Sequence, residues 1–350
     1  MKLERILYPK IWLLLVTLTW CIGLAHGQQS NQVLEEVDSV YIEPLPGILT
    51  GRFYFSQKYT SIRLEGKEDV RDLVYWPNTT LNMGIGVTYN PFSLNLAYGF
   101  PFMNRDKEKG ETRYLDLQTH VYTRHWIMDF YGQLYKGYFL LPRSLGQSDN
   151  GKYYLRPDLG VTLLGLSVFY QTNGHRFSYR AAMLQSEWQK KSSGTWLVGG
   201  EIYAGSFSAD SSFIPAELTA SYSQVGIEKV RFIELGPGGG YAYTLVIDKH
   251  FFIMGSATVT LDIGLSREFK EGGTSDKFIF NPNLGYRGVI GYNSHDWNVN
   301  LSIVGNRVSV KGATSSDKYI FSAGNYRLTL AKRFIPGPKL KRKLKWIKPE

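Results

Sequence analysis

The sequence predicts an all-β protein, an antiparallel transmembrane β-barrel of about 12–14 strands. Three observations carry that expectation. The chain begins with a leader of secretory type, continues as long segments that alternate apolar and polar residues, and joins those segments by connections that are alternately very short and longer.

The leader comes first. Lys2, Arg5 and Lys10 precede an uncharged apolar run from Ile11 to Ala25, and Ala25-His26-Gly27 places small residues on either side of a larger one. Signal peptidase reads that pattern, so residues 1–27 are expected to be removed and the mature chain to start at Gln28. As a retained anchor the run is short, roughly 15 residues against the ~20 that a helix needs to span a bilayer. Cys21, the only cysteine, follows Leu18-Thr19-Trp20 and lacks the small residues that a lipoprotein signal carries. Without it the mature chain has neither disulfides nor thiolate metal sites.

The remainder divides into a polar lead (28–47), a barrel (48–334) and a basic tail (335–350). No later segment is apolar for long enough to make a membrane helix. A mean hydropathy of −0.22 alone would suggest a soluble protein, but 15% aromatic residues and 36 glycines suit many strands with tight turns and rings at two interfaces. In Phe252 to Leu265, Ile253, Ala257, Val259, Leu261, Ile263 and Leu265 alternate with Met254, Ser256, Thr258, Thr260 and Asp262. Leu81 to Tyr89 and Trp297 to Ile303 repeat the pattern, and a period of two means strand. Strands are expected near 49–64, 79–89, 92–101, 113–123, 126–138, 156–171, 176–187, 195–208, 227–235, 240–248, 250–267, 277–293, 296–310 and 319–334. The count falls to twelve if one hairpin does not cross.

A soluble sandwich alternates in the same way, so length and connections decide. Membrane strands need about 9–11 tilted residues, against ~5–6 in soluble sheets. Asn90-Pro91, Arg124-His125, Asn173-Gly174, Asp248-Lys249 and Ser294-His295 read as tight turns, while Asn104 to Thr112, Leu141 to Lys152 and Lys270 to Asp276 are longer and charged. Short turns on the periplasmic side and longer loops outside belong to outer-membrane barrels. Trp76, Trp126, Trp188, Trp196 and Trp297 all fall at or near connections, where amphipathic rings meet the membrane boundary. The last strand, with Tyr326, Leu328, Leu330 and Phe334 on one face, is similar to the signals that barrel-assembly machinery recognises.

Between Phe177 and Gly200 the chain reads Phe-Ser-Tyr-Arg-Ala-Ala, then Gln185-Ser186-Glu187-Trp188-Gln189-Lys190-Lys191-Ser192-Ser193-Gly194, then Gly199-Gly200. These residues, with Gly240-Tyr241-Ala242-Tyr243-Thr244, resemble an uncharacterised family of exported bacterial proteins known as domain of unknown function 4421. The resemblance implies an outer-membrane barrel and supplies no catalytic residues.

Catalysis has little to build on. His125, His175, His250 and His295 lie at the short turns, leaving His120 as the one histidine within a strand. Leu115, Leu117 and Val121 mark the lipid face of that strand, so His120 should point into the lumen with Asp116 and Gln118. A lipid-modifying barrel enzyme would need a serine hydroxyl beside His120 in the outer half of the membrane. Hydrogen-bonded packing is the simpler expectation. Gly146 to Tyr153 misses a phosphate loop, having Tyr153 where the magnesium-binding hydroxyl belongs, and Gly236-Pro237-Gly238-Gly239-Gly240 reads as a hairpin turn. Neither a metal nor a cofactor is expected. The residues expected in the lumen are Asp116, Gln118, His120, Arg180, Glu201, Asp262 and Arg287, setting solute preference in a channel or pairing with one another in a closed barrel.

Net charge is +10, yet Lys332 to Glu350 alone holds eight basic residues and one acid. That tail could meet anionic lipid or cell wall, and export argues against nucleic acid. The expected function is a non-enzymatic outer-membrane barrel that passes solutes or serves a structural or surface role. A lipid-modifying barrel enzyme and a soluble periplasmic β binding protein are the alternatives.

Overall fold

The computed structural model describes residues 37–89, 92–100, 102–103, 106–143, 145 and 151–343. The expected signal peptide, residues 28–36 of the polar lead, the Asn90-Pro91 turn and the end of the tail lie outside the described residues. Fifteen strands follow one another: β1 (Ile42–Pro44), β2 (Leu49–Leu64), β3 (Leu73–Trp76), β4 (Asn82–Tyr89), β5 (Phe92–Gly99), β6 (Arg113–Tyr122), β7 (Trp126–Leu141), β8 (Leu155–Gln171), β9 (Glu187–Gln189), β10 (Ser193–Ser208), β11 (Ile227–Ile247), β12 (Phe251–Lys270), β13 (Gly273–Asn293), β14 (Trp297–Lys311) and β15 (Lys318–Phe334). A short helix, α1 (Pro338–Lys343), begins the tail.

Ten of these strands close a barrel in the order β2-β3-β7-β8-β10-β11-β12-β13-β14-β15, sealed by β15 pairing along β2 from Phe334 opposite Leu49 to Tyr319 opposite Leu64. All the pairings are antiparallel. The short strand β3 fills the wall only at one end, between Ile62–Leu64 of β2 and Phe139–Leu141 of β7. Toward the other end β4 pairs with Leu49–Ser56 of β2, β5 pairs with β4, and β6 pairs with Lys136–Ile127 of β7. Counted there, twelve of the described strands line the wall.

Three three-residue turns, Thr123–His125, Asp248–His250 and Ser294–Asp296, lie at the end that also carries β1 and the tail. Asp248 and Lys249 both take left-handed φ (49° and 64°), as the tightest hairpin turns require. The opposite end carries the longer connections 142–154, 209–226 and 312–317. Short turns face the periplasm in such barrels, so the short-turn end is the periplasmic one.

The alternation is inverted relative to a soluble protein. Ile253, Val259, Leu261, Ile263 and Leu265 are 47–55% exposed, whereas Met254, Thr260, Asp262 and Ser266 in the alternate phase are buried. An apolar exterior around a polar interior is stable only in lipid, which overturns the soluble alternative. Trp126, Trp196 and Trp297 stand exposed on the short-turn rim, Trp126 edge-on to Tyr170 and Trp196 against Tyr241. Trp76 instead stacks on Tyr59, 4.9 Å away, and Trp188 lies in the segment between β8 and β10 with its Nε1 donating to Lys249 O at 2.7 Å.

Four local expectations are corrected. Residues 176–187 are not a crossing strand: after Gln171 the chain folds inward, with a π-helical turn at Arg180–Leu184. Alternation of Phe177, Tyr179 and Ala181 was indistinguishable from a strand because those residues are buried inside the barrel. Asn173-Gly174 is therefore the start of a long excursion. Gly236 to Gly240 is no turn but the middle of the 21-residue β11. Glycines are needed there because a Cβ at Gly236 would meet Asp262 Oδ1 at 2.3 Å and one at Gly240 would meet Ala257 O at 2.1 Å, while Pro237 interrupts the ladder to β12 where its N–H is missing. Lys270 to Asp276 is a turn of two residues, Glu271-Gly272, because β12 and β13 extend beyond their neighbours.

Candidate functional site

The inward residues of the barrel form a polar midsection between two seals. Asp129 of β7, fully buried, is the hub of the midsection. His120 Nδ1 lies 2.6 Å from Asp129 Oδ1, Ser167 Oγ donates to Oδ2 at 3.2 Å, and Arg287 Nη2 pairs with the same oxygen. The hydroxyl thus sits on the carboxylate and not on the imidazole, the reverse of the order that activates a serine nucleophile. His120 also lies near the short-turn end of β6, in the periplasmic half.

A second group surrounds Asn283 of β13. Its Nδ2 donates to Glu234 Oε1 at 2.7 Å and to Asp262 Oδ2 at 2.8 Å, and Thr260 Oγ1 donates to Glu201 Oε1 at 2.6 Å. The third group centres on Asp116 of β6, which accepts from Tyr135 OH at 2.6 Å, Gln118 Nε2 at 3.3 Å, Gln133 Nε2 at 3.4 Å and Lys58 Nζ at 3.4 Å.

The periplasmic seal is the excursion 172–192. Its apolar side sets Phe177, Tyr179 and Ala182 against Tyr122, Ile127, Phe169, Leu197 and Phe252 of the wall. Its polar side is organised by Glu187, which accepts from Arg124 Nη2 at 2.7 Å and from Ser178 Oγ, with Arg180 Nε 3.5 Å away. Two wall arginines hold the carbonyls that the π-helical turn leaves unpaired: Arg52 Nη1 donates to Leu184 O at 2.7 Å and Arg333 Nη2 to Gln185 O at 2.8 Å. β9, in the same segment, pairs with β1 of the lead. A cavity of about 10 Å³ beside Ala181, Ala182 and Phe252 is room for one water at most.

The opposite seal is the connection 209–226. Phe213, Ile214 and Tyr222 pack on Tyr75, Phe207, Tyr319 and Phe321, with Phe207 and Phe213 stacked at 4.0 Å. Arg156 Nη1 donates to Ser212 O at 2.8 Å, and Tyr222 OH donates to Arg71 O at 2.6 Å.

One part of the wall is unpaired. β5 bonds only to β4 and β6 only to β7, so among the described residues the facing edges of β5 and β6 carry no ladder. The interruption lies in the periplasmic half and beside the Asp116 group.

Of the residues expected in the lumen, Asp116, Gln118, His120, Glu201, Asp262 and Arg287 do lie on inward faces. They belong to three groups: His120 and Arg287 meet on Asp129, Glu201 and Asp262 join Glu234, and Asp116 stays with Gln118. Arg180 is inside the barrel but on the seal, not on a strand. Sequence reasoning missed Asp129, Glu187, Glu234, Arg52 and Arg333. The period-two phase of β7 and β11 could have found Asp129 and Glu234; nothing in the sequence pointed to Glu187 as an anchor.

A closed antiparallel ring, an apolar belt, a girdle of rings and a polar interior together define an integral outer-membrane β-barrel. The chain belongs to the family described as Domain of unknown function (DUF4421), which matches residues 36–334. No curated protein matches it. Among solved structures it is similar to the outer membrane protease OmpT from Escherichia coli, at 11% identity over 83% of this chain and 97% of that one with a TM-score of 0.38. The toluene transporter TodX of P. putida matches at 8% identity over 85% and 94% with a TM-score of 0.27, and the outer membrane protein OprG from Pseudomonas aeruginosa at 8% over 84% and 99% with a TM-score of 0.21. Likenesses this distant carry nothing about activity or substrate.

Proposed function

We propose that this outer-membrane barrel is non-enzymatic and that, in the conformation described, nothing flows along its axis. The observation that supports this reading is the pair of seals made from the chain's own segments, with the lumen between them filled by mutually hydrogen-bonded side chains. The placement of Ser167 on Asp129 supports reading His120 as a structural partner of that carboxylate. Reconstitution into a planar bilayer tests the reading. Wild-type protein should give no steady single-channel steps, and deletion of 212–222 combined with Arg52→Ala and Arg333→Ala should produce them; porin-like conductance of the wild type would sink the proposal. Phospholipid hydrolysis that is lost in both His120→Ala and Ser167→Ala would establish the enzymatic alternative.

The exposed apolar residues of the last strand, Tyr326, Leu328, Leu330 and Phe334, fit delivery by barrel-assembly machinery. The tail leaves the barrel on the periplasmic side, where its lysines and arginines would meet anionic headgroups of the inner leaflet or the cell wall.

A further inference from the structure

The edges of β5 and β6 pose a physical problem. In hydrocarbon every unsatisfied backbone N–H or C=O costs several kcal/mol, so open strand edges are not tolerated facing lipid unless they line a polar space or pair with something. The inner face of β5 is accessible and that of β6 is half-buried. Ser93, Asn95 and Ala97, in the inward phase of β5, are exposed like Leu94 and Leu96 in the outward phase. Asp116 is half-buried as a residue although its side chain is only 1% exposed, so its exposure is of backbone, whose carbonyl accepts from Lys58 Nζ at 3.0 Å. The two strands are consecutive in the wall and run antiparallel, the arrangement in which they could pair directly with each other.

We infer that β5 and β6 form a lateral gate, through which an amphiphile in the bilayer with an uncharged, hydroxyl-bearing head reaches the Asp116 group. The inference rests on the reading that the barrel axis is sealed, since a sealed axis leaves the wall as the route to the interior. The chemistry of the occupant follows from the two sides of the gate. On the membrane side the flanking residues are apolar, with Leu94, Leu96, Leu115 and Leu117 all exposed, and suit an acyl chain. On the lumen side Asp116 is already paired with Lys58, so a second charge is not called for. Gln118 Oε1 and Gln133 Oε1 are buried acceptors without a partner among the described residues, which two hydroxyls would satisfy. Paired edges close the gate, and separated edges admit the chain while the head exchanges its water for the two amides.

Cysteine pairs test the gate, because Cys21 of the leader is the only native cysteine. Leu96→Cys with Leu117→Cys places both thiols on the lipid side, away from the polar group. The protein is reconstituted in phosphatidylethanolamine–phosphatidylglycerol vesicles with a monoacylglycerol carrying a diazirine at the head end of its acyl chain, beside the ester, and folding is checked by the mobility shift on boiling. Photolabelling of β6 and β7 on their inward faces is expected under reducing conditions, with competition by excess monoolein and not by oleate, and is expected to be lost when the pair is oxidised. Gln118→Leu should lose the inward label while the disulfide still forms. Inward labelling that persists after oxidation overturns the gate, as does labelling spread evenly around the outer belt. Failure of every pairing of Leu94 or Leu96 with Leu115 or Leu117 to oxidise also overturns it, since the edges then never meet. Axial conductance that is insensitive to the disulfide would refute the sealed axis instead, which separates the two failures.

Discussion

Glu187 is the residue whose loss should detach the periplasmic seal without unfolding the barrel. It is buried at 2% exposure, and the Arg124 and Arg180 side chains that face it are 10% and 9% exposed. Glu187→Gln keeps the shape and removes the charge, leaving two guanidiniums in a largely dry site. Removing one partner of a buried ion pair costs about 3–5 kcal/mol. Among the described residues the wall ladders do not pass through Glu187, whose strand β9 pairs with β1, so that cost falls on the attachment of residues 172–192. A loss of ~3 kcal/mol in local opening free energy raises the detached population on the order of 100-fold. Hydrogen exchange followed by mass spectrometry reads this directly: amides of 177–189 should lose protection while those of β11 to β14 keep theirs. Bilayer recordings should show no new conductance so long as the opposite seal stays in place. Unchanged protection of 177–189 would refute the argument that Glu187 anchors the seal, and uniform loss across all the strands would refute the claim that the seal is separable from the wall.

Arg287→Met strips the fully buried Asp129 of its buried cation and should destabilise the barrel by about 3–5 kcal/mol in urea unfolding, with Asp129→Asn in the same chain recovering part of the loss. Gly165→Val should cost about 1–3 kcal/mol, because a Cβ there would lie 2.1 Å from the Tyr203 ring, and that ring is held by Asn306 Nδ2 donating to its hydroxyl at 2.7 Å; an unchanged unfolding midpoint would mean that Tyr203 moves freely. Fluorescence of Trp126, Trp196 and Trp297 should be quenched by nitroxides at the headgroup and much less by nitroxides at the chain end, and the opposite depth profile would contradict the girdle.

How much could be read in advance follows from the range of the forces involved. Alternation along a strand is local, so the stretch around Leu261 disclosed its strand, its lipid face and its inward Asp262 without any fold. Turn chemistry is local too, which is why Asp248-Lys249 and Ser294-His295 were legible. Inward polar residues such as His120 and Arg287 were identifiable one at a time by phase. Their meeting on Asp129 was not, because β6 with β7 and β13 are brought together only by closure of the ring. The same holds for the glycines of β11, which look like a turn until Asp262 and Thr258 are laid over them. Residues 176–187 alternate like a strand, and only the space inside the closed barrel, with Arg52 and Arg333 waiting for the carbonyls of Leu184 and Gln185, turns them into a seal. The sequence by itself therefore determined the class of fold, the membrane and the facing of single residues, all set by period and composition. Which residues meet, which segment fills the lumen and where the wall is left unpaired were decided by tertiary structure, because each depends on contacts between residues far apart in the chain.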